Sequence, residues 1–76
     1  MNLSILKRVS YEIERKQEPV IATQDNMIVS YNVAAEKLWE GVLENMNDII
    51  GEDVNEILKK FSLTDDQQNC FFELNY

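Results

Sequence analysis

Few residues in this chain have the chemistry for catalysis. Cys70 is its only cysteine and histidine is absent. That composition removes Ser–His and Cys–His nucleophile pairs, His-ligated haem and the common His-containing zinc sites. A single thiol also cannot form a disulfide within the chain or a Cys-based zinc site. The carboxylate pairs Glu52/Asp53 and Asp65/Asp66 invite an acid–base or metal reading. Neighbours in sequence do not share a helix face, however, and Asn47-Asp48 lacks the oxygen ladder of a calcium loop. These carboxylates read instead as helix starts that complement the helix dipole. No nucleophile with a base, no phosphate loop and no metal set remains, so the expectation is a non-enzyme without catalytic, cofactor-binding or metal-ligating residues. The aromatics Phe61, Phe71, Phe72 and Tyr76 are expected in the core. If a small-metabolite pocket exists, Tyr31, Trp39 and Phe72 are nearest to it.

Charge narrows the partners. The 76 residues carry a formal net charge of −7, from fourteen carboxylates and seven Lys or Arg. Residues 1–38 balance five against five, and residues 39–76 set Lys59 and Lys60 against nine carboxylates. Such a chain repels a phosphate backbone, because nucleic-acid affinity comes largely from Lys and Arg displacing counterions. Direct nucleic-acid binding is not expected. The basic cluster Lys7, Arg8, Arg15 and Lys16 reads as a solvated helix face. No run approaches the roughly 20 apolar residues of a membrane span. With one free thiol and no export signal, the expected location is the cytoplasm.

These side chains must be positioned by a small number of elements. Leu3, Leu6, Val9 and Ile13 recur at helical spacing and form one apolar stripe. Pro19 disfavours helical geometry at Glu18, so an N-terminal amphipathic helix should occupy residues 1–18 and the domain residues 19–76. Val20 to Gln24 and Met27 to Tyr31 read as strands, and Asp25-Asn26 as the two-residue turn of an antiparallel hairpin. Asn32 then caps a helix from Val33 to Glu40, which Gly41 would end in left-handed geometry. Val42 to Ile50 reads as a short helix or turn closed by Gly51. Asp53 caps a third helix, Val54 to Lys60, with Val54, Ile57, Leu58 and Phe61 on one side. Thr64 and Gln67 have capping-box spacing for a single turn, Asp65 to Gln68. Asn69 to Tyr76 alternates with period two, placing Cys70, Phe72, Leu74 and Tyr76 on one side of a half-buried strand. The sum is an α+β class: a small antiparallel sheet of about three strands, with short helices on one face.

Two stretches carry a family resemblance. The first runs Pro19-Val20-Ile21-Ala22-Thr23, the turn, Ile28-Val29-Ser30-Tyr31-Asn32 and Ala34-Ala35-Glu36-Lys37-Leu38-Trp39. It resembles the opening of a PAS domain, in which a strand pair leads through an Asn cap into an N-x-A-A-E-x-L helix and an aromatic. The second, Ile50-Gly51-Glu52-Asp53-Val54-Asn55-Glu56-Ile57-Leu58, resembles the later "IGxxVxELL" helix of the same family. The likeness spans residues 19–58. It implies a truncated PAS-like fold whose third strand either closes a reduced sheet beside the first or belongs to a longer chain, since nothing here corresponds to the last two strands. Asn69-Cys70 does not stand where the flavin-binding branch carries its reactive thiol, and a haem-binding member would need an axial His.

The resemblance implies a non-catalytic sensory or protein-interaction module of a bacterial signal-transduction or transcription-regulatory protein. It would act as a homodimer or with a partner protein. Leu3, Leu6, Val9 and Ile13 are the expected dimer or partner interface. Two other readings fit the same residues: a pocket for a small metabolite, and a free-standing acidic inhibitor that presents an edge strand, Asn69 to Tyr76, to its target.

Overall fold

The computed structural model describes residues 17–74. The stripe residues Leu3, Leu6, Val9 and Ile13, and Tyr76, lie outside the described residues. The chain enters a three-stranded sheet ordered β2-β1-β3. Strand β1 is Ile21–Gln24, β2 is Met27–Tyr31 and β3 is Phe71–Glu73. Between β2 and β3 come helix α1 (Val33–Leu38), a 3-10 turn (Met46–Ile49), helix α2 (Val54–Lys60) and the single-turn helix α3 (Asp65–Gln68).

Local chemistry accounts for the hairpin. Asp25 and Asn26 take φ of 52° and 64°, the left-handed geometry of a turn that matches strand twist. Both side chains tolerate that region better than other non-glycine residues. The strands pair antiparallel, from Gln24 with Met27 to Ile21 with Tyr31, with the register shifting between Ala22 and Thr23.

Strand β3 corrects one expectation. It runs parallel to β1, Ile21 opposite Phe71 and Thr23 opposite Glu73, so the sheet is mixed rather than antiparallel. Period two assigns residues to faces and carries no information about strand direction. Direction is set here by the helical segment that returns the chain to the end where β1 begins. The central position of β1 explains its composition: Val20, Ile21, Ala22 and Thr23 are all buried, as a strand covered on both faces must be.

The two faces differ. On one, Ile21, Ile28, Ala35, Trp39, Met46, Ile49, Ile57 and Cys70 form the main core. Trp39 stands edge-on to Phe71, ring centroids 6.0 Å apart at 87°, a preferred arrangement of aromatic quadrupoles. The other face holds a smaller cluster of Val20, Ala22 and Leu74, with Val29 against it. The final strand therefore does not bury Cys70, Phe72 and Leu74 together. Cys70 precedes it and joins the helix-side core, Leu74 is buried on the opposite face, and Phe72 is 49% exposed.

Capping follows the sequence closely. Asn32 accepts from Ala35 N–H, and Asp53 accepts from the N–H groups of Asn55 and Glu56. Thr64 and Gln67 form a complete capping box. Gly41 is the exception: α1 stops at Leu38 with Trp39 as its C-cap, and Gly41 is not left-handed. The indole of Trp39 belongs in the core, and continuing the helix is secondary to that burial. Gly51 does adopt a positive φ, 87°.

Candidate functional site

The hydrogen-bond alternation of the sheet locates its chemically open parts. Ile21 N–H donates to Cys70 C=O, and Leu74 N–H donates to Thr23 C=O. In a parallel ladder those bonds alternate along the strand. Phe72 therefore faces β1 with its backbone, and Phe71 and Glu73 turn N–H and C=O to the outer side. Strand β3 is short and, among the described residues, edge-forming, with a half-exposed Phe72 on the face that carries Val20, Ala22 and Leu74.

Glu73 anchors that edge to the hairpin. Its carboxylate accepts from Thr23 Oγ1 at 2.6 Å and from Asp25 N–H at 3.0 Å. One side chain thus ties the end of β3 to the turn of β1 and β2, which holds the outer edge straight. Nothing local in the sequence marks this role, because the partners lie 48 and 50 residues away.

At the opposite edge, β2 is half covered by the chain itself. Ile28 N–H donates to Glu52 C=O and Ile28 C=O accepts from Gly51 N–H, while Met27 bridges Asp53. Ile21 bonds toward β3, so its cross-strand partner Tyr31 belongs to a non-hydrogen-bonded pair and turns its backbone to the outer side. A groove of about 410 Å³ lies there, lined by Val29, Ser30, Tyr31, Val33, Glu36, Asn47 and Ile50 among others. Tyr31 Oη donates to Asn47 Oδ1 at 2.7 Å. Burial, and secondly the Glu36 carboxylate, push the Tyr31 phenol above its ordinary value.

The three aromatics expected around one pocket are not brought together. Trp39 is fully buried in the core, Tyr31 lines the groove, and Phe72 stands on the opposite face with Leu74. Cys70 is a buried thiol that donates to Gln67 C=O at 2.9 Å. Burial raises its pKa, and the neighbouring Trp39 indole partly offsets this. That indole Nε1 has no partner in hydrogen-bonding geometry. A buried, protonated thiol packs as a small apolar group and is a poor nucleophile.

Among the described residues, no group of three or more Cys, Asp or Glu gathers to hold a metal ion. Among them, too, no helix is long and apolar enough to cross a membrane. Comparison of the chain with protein-family models, curated proteins and solved structures finds no match.

Proposed function

We propose that the chain is a non-catalytic, PAS-like protein-interaction module, a dimerisation or sensory unit of a bacterial signalling or transcription-regulatory protein. The observation that carries this reading is the outer edge of β3. It turns the backbone groups of Phe71 and Glu73 outward beside the half-exposed Phe72, on a sheet that has three strands among the described residues. A sheet edge of this kind is satisfied by adding a strand. A second copy is the proposed partner, since two β3 edges related by a two-fold axis pair antiparallel with one shared register. The apolar stripe Leu3, Leu6, Val9 and Ile13 supplies a further interface in the same reading.

Amide hydrogen exchange at increasing protein concentration tests the edge directly. Pairing slows exchange at Phe71 and Glu73 as concentration rises, with Ser30 inside the sheet unchanged. Equal exchange at these two amides from dilute to concentrated protein overturns the proposal.

A further inference from the structure

We propose that the groove at the end of β2 binds a short extended peptide segment in which a lysine or arginine stands two residues from an apolar residue, so that both side chains fall on one face. The inference goes beyond self-association, because it concerns the other edge of the sheet. Three observations converge on one place. Tyr31 turns its backbone N–H and C=O outward there, the pair of groups with which an added strand makes its main-chain bonds. Val33 is 61% exposed and Ile50 is 41% exposed, and these flank the groove as apolar walls. Glu36 lines the same groove and supplies an anionic end.

The preceding part of the same edge shows what kind of segment it accepts. Gly51–Asp53 already lies antiparallel along Met27 and Ile28, so the edge is built for an extended backbone, and among the described residues its filling stops before Tyr31. The Tyr31–Asn47 hydrogen bond fixes the floor and keeps the phenol from closing over it. Charge selects the occupant. Residues 17–74 carry twelve carboxylates against Lys37, Lys59 and Lys60. An acidic segment is therefore repelled from the whole domain and a basic one is drawn to it.

The test is a titration of the full chain, at low salt, with an acetylated and amidated lysine–serine–valine peptide, followed by backbone amide shifts. The expected result is a saturable shift at Tyr31, Val33 and Asn47 with a Kd near 1 mM, a value usual for so small a contact. The glutamate–serine–valine counterpart should bind at least about fivefold more weakly, and Glu36→Gln should remove that preference while leaving the unliganded spectrum folded. Three results overturn the proposal: no shift up to about 10 mM peptide, equal shifts with both peptides, or the same shifts with butylammonium alone. Shifts confined to Phe71–Glu73 also overturn it, assigning the added strand to the other edge. The two proposals separate on salt: peptide binding here weakens as salt rises, whereas self-association of a −7 chain strengthens.

Discussion

Asn32 joins three parts of the molecule with one amide. Its Oδ1 accepts from Val20 N–H at 3.0 Å and from Ala35 N–H at 2.9 Å, and its Nδ2 donates to Glu18 C=O at 2.7 Å. The residue is 2% exposed, so water does not replace these bonds when they are lost. Asn32→Ala should therefore cost about 2–4 kcal/mol, combining loss of the cap with buried groups left unpaired. Asn32→Asp keeps the acceptor but sets a carboxylate oxygen against the Glu18 carbonyl at a buried site, and should cost at least about as much. Urea denaturation of the three proteins measures both. The capping half of this role is legible in sequence, since Asn before a change of period is a helix start. The bonds to Val20 and Glu18 are not, because they join residues 12 and 14 positions apart. Cys70 gives a second prediction at this scale. Its thiol pKa is raised by burial, so the folded chain holds the proton more tightly than the unfolded chain. The stabilisation is fully present below the ordinary thiol value of 9.0 and is lost as pH rises past it toward the folded value. The urea midpoint should thus fall above pH 9, and Cys70→Ala should remove that part of the fall while lowering stability at neutral pH. A Cys70→Ala protein with the same alkaline slope contradicts the assignment.

At the scale of elements, the two glycines separate conformational need from space. A Cβ on Gly41 or on Gly51 meets nothing within 4 Å, yet only Gly51 has a positive φ, 87°. Gly51→Ala should cost about 1–2 kcal/mol, because an L-residue is strained in that region. Gly41→Ala should be neutral or stabilising by up to about 1 kcal/mol, by restricting the unfolded chain. Thermal unfolding of the two variants checks the pair. Short elements whose signals are local were readable beforehand: the Asp25-Asn26 turn, the Asp53 cap and the Thr64–Gln67 box all stand where their side-chain chemistry places them. The end of α1 was not, because burying Trp39 against Phe71 outweighs the glycine stop signal at Gly41.

For the whole molecule, strand direction and strand faces were the parts hidden from a sequence reading. Alternation in Asn69 to Tyr76 identifies a strand, and it leaves open whether that strand runs with or against β1. The parallel pairing of Ile21 with Phe71 puts Phe72 on the face of Val20, Ala22 and Leu74 and aligns Glu73 with Thr23. The candidate surfaces follow from that arrangement and not from the aromatic residue types, which is why Tyr31, Trp39 and Phe72 fall in three different environments. The same arrangement makes an edge with one exposed aromatic beside it, the form in which a few residues carry most of an interface. Sedimentation velocity of the full chain and of Phe72→Asp, across concentration and in moderate salt, tests the central claim most directly. The native sedimentation coefficient should rise with concentration to that of a dimer. The Phe72→Asp protein should keep its circular dichroism and show a dimer dissociation constant higher by at least about tenfold. A native chain that stays monomeric at every concentration, or a Phe72→Asp dimer as tight as the native one, overturns association through this edge.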